Sequence, residues 1–296
     1  MEIPEIPNLI VYAIPFFIIT LFIEILVDSR EKTRAYETKD AITSISMGLG
    51  NVILGLISKI LVFGVFIYLY DNLRLFTIPF VWWSWLLILF VDDFAYYWFH
   101  RISHESRFFW ASHVVHHSSQ KYNLSTALRQ TWSGGFLAFV FWLPLPVLGF
   151  HPVMILAQMS ISLIYQYWIH TEFIKKMPSW FEAVFNTPSH HRVHHAINPQ
   201  YLDRNHAGIF IFWDKWFGSF EPEVEKPTYG LVKNISSFNP LIVAFHEWID
   251  LFKDVFSSKI SLTNRVKYFI KPPGWKHDGT GISSQEMREE WNKKRS

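Results

Sequence analysis

Residues 186–195 read NTPSHHRVHH, and two earlier stretches carry related patterns, HRISH at residues 100–104 and HVVHH at residues 113–117. In an α-helix, residues three and four positions apart lie on one face, so each pattern directs two or three imidazoles toward one point. Neutral imidazole is a common ligand of iron, copper, zinc and nickel ions. The three stretches therefore predict a histidine-lined site that holds two metal ions.

The motifs and the composition exclude several other metal sites. A zinc protease needs H-E-x-x-H, and none of the three motifs has Glu in the second position. Ferritin-like diiron proteins use Glu-x-x-His, which the sequence lacks. The chain also has no cysteine, which excludes thiolate zinc sites and iron–sulfur clusters. A centre of two metals with nitrogen ligands is the prediction that remains.

The apolar residues are concentrated in blocks at residues 7–27, 45–70, 79–90, 134–150 and 152–169. The first two blocks are long enough to cross a hydrocarbon layer of about 30 Å, and the third reaches that length only if its helix continues to His100. Pro144 and Pro146 interrupt the fourth block, so the last two are expected to form a partly re-entrant hairpin. The sequence predicts an all-α integral membrane helical bundle of about four transmembrane or re-entrant helices, with a cytosolic helical cap that carries the dimetal site.

The basic residues indicate on which side of the membrane the motifs lie. Arg30, Lys32, Arg34 and Lys39 fall between the first two apolar blocks, and the positive-inside rule places such a segment in the cytosol. Counting crossings from there puts all three motifs on the cytosolic side, of the inner membrane in a bacterium or of the endoplasmic reticulum in a eukaryote. The net charge of +2 gives no support for a nucleic-acid partner.

Three regions are predicted along the chain. They are an N-terminal transmembrane hairpin at residues 1–78 with a polar lead at residues 1–6, a catalytic domain with the histidine motifs at residues 79–226, and a cytosolic C-terminal segment at residues 227–296 with an amphipathic helix from Pro240 to Phe256. The first apolar block has no basic n-region and no cleavage site, so it is expected to remain as an anchor. Glu24 is expected at the membrane interface and Asp40 at the N-cap of the second helix.

One face of the predicted third helix combines two histidines with an acid. Asp93, Tyr97, His100 and His104 follow one another at spacings of four, three and four residues. Asp93 is therefore favoured over Asp92 as the carboxylate that holds the ring N–H of a histidine ligand. The alternative is that both acids are solvated at the membrane interface.

Other candidates lie beside the motifs. Glu105 directly follows His104 and is, with Asp93, a candidate catalytic carboxylate. His170 ends an apolar helix that returns to the side of the other motifs, which makes it a candidate ligand. His190 lies four residues before His194 and is a fourth candidate in its motif.

The three motifs resemble those of the fatty acid hydroxylase and sterol desaturase superfamily of membrane diiron oxygenases. The resemblance extends through DDFAYYWFHRISHE (residues 92–105), WASHVVHHSSQKYNLSTALRQ (residues 110–130) and NTPSHHRVHHAINPQYLDRNHAGIFIFWDKWFGSFEPE (residues 186–223), which are similar to the alkylglycerol monooxygenase family within this superfamily. It covers most of residues 80–275. Members of the superfamily that act on different lipids share the motifs, so the motifs do not name the substrate.

The resemblance implies a metal centre and a reaction. It implies O₂-dependent hydroxylation of the ether-bearing carbon of an alkylglycerol, a membrane lipid, with tetrahydrobiopterin as reductant, to give an aldehyde and a glycerol derivative. Zinc is expected to replace iron during overexpression, because zinc binds more tightly than Fe²⁺. His206 is not counted as a ligand. The implied ligands of the two iron ions are His100, His104, His113, His116, His117, His170, His191, His194 and His195, with His190 as a further candidate.

Two other functions stay open at this point. The chain could be a hydroxylase or desaturase of sterols, fatty acids or carotenoids that receives electrons from a ferredoxin or a cytochrome b5-like partner. It could also be a membrane protein that binds metal without catalysis. Metal content and lipid products distinguish these functions.

Overall fold

The computed structural model describes residues 7–258 and 260–295, and within these ranges the regular structure consists of helices and two isolated β-bridges. The predicted all-α class is confirmed. The polar lead predicted at residues 1–6 lies outside the described residues. The helices are α1 (Leu9–Glu31), α2 (Thr38–Leu73), α3 (Trp82–Glu105), α4 (Arg107–His117), α5 (Leu124–Ala127), α6 (Gly134–Ala138), α7 (Pro144–Leu148), α8 (Pro152–Trp168), α9 (Ser179–Val184), α10 (Pro188–His194), α11 (Phe212–Trp216), α12 (Pro240–Val255), α13 (Leu262–Ile270) and α14 (Ser284–Lys293), with single 3-10 turns at Phe139–Phe141 and Pro199–Tyr201.

Among the described helices, α1 and α2 are long and apolar enough to cross a membrane. Only 6% of the apolar window of α1 and 17% of that of α2 is buried inside the protein, so these helices do not form the core of a soluble fold. At 1.5 Å per residue, the 23 residues of α1 extend about 34 Å and the 36 residues of α2 about 54 Å. Their exposed apolar side chains form a surface suited to the hydrocarbon layer.

The start of α2 differs from the prediction. The helix begins at Thr38 with Glu37 at its N-cap, so the prediction that Asp40 caps it is wrong. The Asp40 side chain instead lies 3.2 Å from the Arg129 guanidinium in a buried ion pair and accepts the Ser119 hydroxyl. This pair joins α2 to the segment that follows α4.

Glu24 on α1 is buried inside the protein, and its position at the depth of the membrane interface stays a prediction. Its carboxylate accepts the Leu124 backbone N–H at 2.7 Å and also accepts the hydroxyls of Tyr36 and Thr171. A buried carboxylate needs such donors, because burial without them is costly. Glu24 thereby ties α1 to the residue that follows His170.

α3 is one continuous helix from the apolar block to the first histidine motif. Its 24 residues extend about 36 Å, so the helix reaches His100 and His104 as predicted. Asp93, Tyr97, His100 and His104 are all buried and share its inner face. Ser106 follows with an extended backbone, which ends α3 and lets α4 turn back against it.

The predicted hairpin has one broken arm and one continuous arm. The first arm is divided into α6, a 3-10 turn and α7, because Pro144 and Pro146 lack the N–H groups that a continuous helix needs. Gly149 then reverses the chain at a φ of +104°, and a Cβ there would lie 2.2 Å from the Phe76 carbonyl oxygen. The second arm, α8, is continuous and ends just before His170.

The three helices α12 to α14, called the cap below, lie against the histidine-bearing helices. Arg107 at the start of α4 pairs with Glu247 at 2.7 Å and with Asp254 at 2.6 Å, both on α12. α14 is anchored by Arg288, which donates to the Leu202 carbonyl oxygen at 2.5 Å. The cap is therefore fixed to the region that carries the motifs.

Candidate metal centre

Four segments bring the histidines together. The end of α3 carries His100 and His104, α4 carries the second motif, His170 follows α8, and α10 carries the third motif with His195 as its C-cap. α10 starts after Thr187 with Pro188 in its first turn, where the missing N–H of proline breaks no helical hydrogen bond. The structure gathers nine of the ten candidate ligands into two adjoining clusters.

The first cluster, called the five-histidine cluster, draws on three motifs. The second, called the four-histidine cluster, adds His170. Within each cluster, the ligand nitrogen atoms lie within 4.8 Å of one another. The five-histidine cluster consists of His100, His104, His113, His117 and His194, and the four-histidine cluster consists of His116, His170, His191 and His195.

Each H-x-x-H-H motif contributes to both clusters. His113 and His117 are four residues apart and enter one cluster, whereas the intervening His116 enters the other. A step of one residue turns a helix by about 100°, so adjacent histidines cannot point at the same ion. The doubled histidine is therefore the sequence feature that builds two neighbouring sites.

The clusters adjoin each other through stacked rings. The centroids of the His117 and His195 rings, which belong to different clusters, lie 4.4 Å apart in a stacked arrangement. The rings of His191 and His194 are also stacked, at 5.1 Å. The arrangement is suited to two cations held side by side.

In the four-histidine cluster, the hydrogen bonds of the rings fix where their lone pairs point. His116 Nδ1 donates to the Arg129 carbonyl oxygen at 3.4 Å, and His170 Nδ1 donates to the Gln166 carbonyl oxygen at 2.7 Å. Because a carbonyl oxygen only accepts, the hydrogen lies on Nδ1 and Nε2 of the neutral ring carries a lone pair. The two Nε2 atoms lie 3.2 Å apart. Two lone pairs at this distance repel each other unless a cation lies between them.

The five-histidine cluster has the same design. His100 Nδ1 donates to the His206 carbonyl oxygen at 2.7 Å, and His194 Nδ1 donates to the Arg204 carbonyl oxygen at 2.9 Å. Their Nε2 lone pairs face the Nε2 atoms of His113 at 3.0 Å and His117 at 3.1 Å. Carbonyl groups that orient ligand rings in this way are typical of metal sites in proteins.

One buried ring atom in this cluster has no protein partner. His104 Nδ1 lies 3.2 Å from the Asp203 carboxylate, which can accept its N–H, while His104 Nε2 is buried without a hydrogen bond. Buried polar atoms normally have a partner. The orphaned Nε2 points into a cluster of four other ring nitrogens, which is the environment of a metal ligand.

Burial favours the form of the rings that binds metal. It lowers the pKa of His113, His117 and His194 well below the ordinary value, and it lowers the pKa of His116 to about 4. Desolvation disfavours the charged imidazolium, so these rings stay neutral at physiological pH. The neutral nitrogen donors fit iron or zinc and supply no negative charge to the ions.

His190 and His206 do not enter either cluster. His190 Nδ1 lies 3.3 Å from the Thr187 hydroxyl, and its ring packs against Phe220. It sits one residue before His191, so the turn of α10 directs it away from the four-histidine cluster. His206 is buried, and the centroid of its ring lies 5.1 Å from that of the His104 ring. Its backbone carbonyl oxygen accepts the N–H of His100 Nδ1.

The predicted carboxylates take other positions. Asp93 accepts the backbone N–H groups of Ile209 at 2.7 Å and Phe210 at 2.9 Å and the Trp213 ring N–H at 3.0 Å, rather than the N–H of a histidine ring. It lies seven residues, or about 10 Å of helix, before His100, which is too far for direct contact. Asp93 therefore holds the segment after the third motif.

Glu105 and Asp92 also lie apart from the ring nitrogens. Glu105 is half-exposed and pairs with Arg101 at 2.8 Å. Asp92 is buried and accepts the Trp142 ring N–H at 2.7 Å, so it is not a solvated interfacial acid. Asp203, which contacts His104, is an acid that the sequence interpretation missed, because its loop is far from His104 along the chain.

A cavity of about 440 Å³, called the cap cavity below, lies between the clusters and the cap. His104, His117, His194 and His195 form part of its wall, and Glu247 and Asp250 of α12 lie among the residues lining it from the cap. A much smaller cavity beside His113 is lined by the apolar side chains of Phe99, Phe109 and Leu137 and by the hydroxyl-bearing residues Ser103, Ser112 and Thr131. The cap cavity thus borders both clusters and has a mixed lining, in which acidic side chains occur together with apolar ones such as Trp110 and Ile235.

Comparison with known proteins gives a match to one family model. Residues 85–219, which contain all three motifs, match the family model for fatty acid hydroxylase. This region of the chain is therefore similar to the fatty acid hydroxylase family over the part that carries the histidine motifs. No solved structure matches the chain.

The chain as a whole is similar to the alkylglycerol monooxygenases. It is 40% identical to that of Homo sapiens over 275 residues, which cover 92% of this chain and 61% of the relative. It is 38% identical to that of Danio rerio over 92% of this chain and 60% of the relative, and 36% identical to that of Xenopus tropicalis over 93% and 61%. The chain spans about three fifths of the length of these relatives.

Proposed function

We propose that the chain is a membrane-bound monooxygenase that uses two iron ions, O₂ and an electron donor to hydroxylate the ether-bearing carbon of an alkylglycerol. The observation that carries this proposal is the pair of adjoining all-histidine clusters within a chain that is similar to alkylglycerol monooxygenases. The nine clustered histidines are the proposed ligands. Iron bound there would supply the reduction of O₂ and the transfer of one oxygen atom.

The overall reaction balances with two electrons and two protons. One atom of O₂ enters a C–H bond of the carbon next to the ether oxygen, and the other atom leaves as water. The product carbon then bears a hydroxyl and an ether oxygen, which makes it a hemiacetal. A hemiacetal breaks its second C–O bond to give an aldehyde and an alcohol, here a fatty aldehyde and a glycerol derivative.

The chain's own residues orient the metal ligands and place the site between the lipid and the aqueous side. The carbonyl oxygens of Arg129, Gln166, Arg204 and His206 orient ligand rings, so the imidazoles need little rearrangement when metal binds. The apolar surface of α1 and α2 keeps the protein in the lipid that supplies the substrate. We propose that the polar head of the substrate enters from the cap cavity, while its alkyl chain remains among apolar side chains.

The electron donor is proposed from the same similarity. A tetrahydrobiopterin-type reductant is the first candidate, and a cytochrome b5-like or ferredoxin-like partner is the alternative. Either donor approaches from the aqueous side, which we propose to be the cytosol, at the place where the cap cavity borders His104 and His117.

We propose that the chain has three regions, which are the transmembrane hairpin at residues 1–78, the catalytic domain at residues 79–226 and the C-terminal segment at residues 227–296. The catalytic roles of Asp93 and Glu105 stay predictions.

The proposal is tested with purified protein in lipid nanodiscs. Metal analysis is expected to give about two metal equivalents per chain, as iron or as substituted zinc. With iron, a reductant, an alkylglycerol and ¹⁸O₂, the aldehyde, trapped at once by reduction to the alcohol, is expected to carry one labelled oxygen. His104→Ala, His117→Ala and His194→Ala are expected to abolish turnover, and His190→Ala serves as the control outside the clusters. A single haem, no metal, or turnover in all three variants contradicts the proposal.

A further inference from the structure

α12 exposes a continuous apolar face. Leu241, Phe245, Ile249, Phe252 and Phe256 follow one another at spacings of three or four residues, so they lie on one side of the helix and its C-cap. Their exposed fractions range from 41% to 72%. An exposed apolar patch of this kind marks a surface that meets a partner or a membrane.

α13 carries a second face of the same character. Leu262, Val266 and Ile270 recur every fourth residue and are 77%, 51% and 61% exposed. α13 packs against α12 through Leu251, Val255 and Tyr268, which lie on the buried sides of the two helices. The exposed apolar side chains are therefore not needed for the packing of the cap.

The exposed face of α12 continues the lipid-facing surface of α2. The Thr43 hydroxyl donates to the Phe238 carbonyl oxygen at 2.9 Å, and Met47 packs with Val243 and Ala244. These contacts place the start of α12 beside the early turns of α2. After the exposed Thr38 and Lys39 of the first turn, the exposed residues of α2 at this level are apolar. They are Ile42, Ile45 and Leu49. Lipid that surrounds α2 at this level meets α12 as its next neighbour.

Basic residues border the apolar faces. Lys253 of α12 is exposed beside Phe252 and Phe256, where it also pairs with the exposed Asp250 at 3.1 Å, and Lys271 is exposed directly after Ile270. Lysines at such positions bury their methylene groups at an apolar surface and keep the ammonium groups among lipid phosphates. The combination of large apolar side chains with flanking lysines is typical of helices that lie in the plane of a membrane interface.

We propose that α12 and α13 form an in-plane membrane anchor whose apolar faces insert into the lipid leaflet on the side of the cap. The partner is the lipid bilayer itself, and this role goes beyond the proposed reaction. Because Glu247 and Asp254 on the opposite side of α12 hold Arg107, the anchor fixes one wall of the cap cavity against the membrane surface. The C-terminal segment is then interfacial rather than free in the cytosol.

The absence of cysteine from the sequence allows a direct test. Ile249→Cys and Val266→Cys each introduce one thiol on an apolar face, and Glu290→Cys places one on the exposed polar surface of α14 as the control. Each variant is labelled with an environment-sensitive fluorophore in full-length protein and reconstituted into phosphatidylcholine vesicles that contain lipids brominated on the acyl chains. Labels at positions 249 and 266 are expected to lose most of their fluorescence to brominated lipid and little to aqueous iodide. The label at position 290 is expected to show the reverse.

Two outcomes overturn the proposal. Iodide quenching at positions 249 and 266 equal to that at position 290 would place both faces in water. Protection from both quenchers would show that protein, such as a second copy of the chain, covers the faces. Leu241→Cys and Leu262→Cys provide an independent pair of exposed positions, so misfolding of one variant does not decide the result. The quenching is independent of turnover, so its failure is distinguishable from failure of the proposed reaction.

Discussion

His116 and His170 face each other with their Nε2 atoms 3.2 Å apart, while the Nδ1 atom of each ring donates to a backbone carbonyl oxygen. The protein thus holds two lone pairs against each other in a buried place, an arrangement that a cation stabilises. The two residues come from α4 and from the end of α8, which are 54 positions apart in the chain. The four-histidine cluster therefore depends on His170, although His170 belongs to none of the three motifs.

The first prediction concerns this dependence. His170→Ala removes one of four ligands and is expected to lower the metal content from about two equivalents per chain to about one, because the five-histidine cluster is untouched. His190→Ala, beside the motif but outside both clusters, is expected to keep both equivalents. Elemental analysis of the purified variants measures the difference. Equal metal content in the two variants would contradict the assignment of His170.

The second prediction concerns the acid that touches a ligand. Asp203→Asn weakens the acceptor for His104 Nδ1–H, and loss of such a contact typically reduces metal affinity by about 10-fold to 100-fold. Asp250→Asn makes the same change in the same cavity without a contact to a ring of either cluster. The rate of metal loss to a chelator is expected to rise for the first variant alone. Similar rates in both variants would make Asp203 a cavity residue without influence on the metal.

The third prediction separates two roles for Asp93. Asp93→Ala leaves three buried donors without an acceptor, and the cost is expected to be about 3 kcal/mol or more, seen as a lower thermal midpoint. Metal retention is expected to fall as well, by roughly 10-fold to 100-fold, because the segment at residues 206–213 also provides the carbonyl group that orients His100. Asp92→Asn, which keeps an acceptor for Trp142, is the control for metal retention. A variant with unchanged metal content would make Asp93 purely structural.

Local patterns predicted much of the metal centre. The spacing of His113, His116 and His117 on one helix, and the repeat of that spacing at residues 191–195, were sufficient to predict a dimetal site. The division of each motif between two clusters was not predicted, because the sequence analysis directed the rings of a motif toward one point and the packing of separate segments decides which rings meet. The residues that orient the rings were not predictable, because backbone carbonyls such as those of Arg129 and Arg204 leave no sequence signature.

Contacts between distant segments account for the wrong prediction at Asp40 and for the unforeseen burial of Glu24. Asp40 has the position and residue type of a helix N-cap, yet it pairs with Arg129, which lies 89 positions later. The burial of Glu24 among protein groups was not predictable either, because its donors come from Tyr36, Leu124 and Thr171. In both cases the partner that makes burial favourable lies outside the range of any helical or turn pattern.

The fourth prediction concerns the ion pairs that connect α12 of the cap to α4, the helix that carries the second histidine motif. Arg107 is the first residue of α4 and bonds two acids of α12, and its side chain is only 10% exposed. Arg107→Ala leaves Glu247 and Asp254 without their partner, and because both acids are partly exposed the expected loss is about 2 kcal/mol, below that for a fully buried pair. Hydrogen exchange in α12 is therefore expected to accelerate, and metal loss from the second motif to follow it.

Lys253→Ala is the matched control for Arg107→Ala, because it removes an exposed pair with Asp250 on the same helix and is expected to change stability by less than about 1 kcal/mol. Arg107→Lys is expected to recover only part of the loss, since one ammonium group cannot reproduce two separate guanidinium contacts. If exchange in α12 were as slow in Arg107→Ala as in Lys253→Ala, the ion pairs of Arg107 would not be what holds α12 against α4, and the apolar contacts of Ala111 with Leu251 and Val255 would account for that packing. The cap cavity would then owe its shape to packing rather than to the ion pairs that border it.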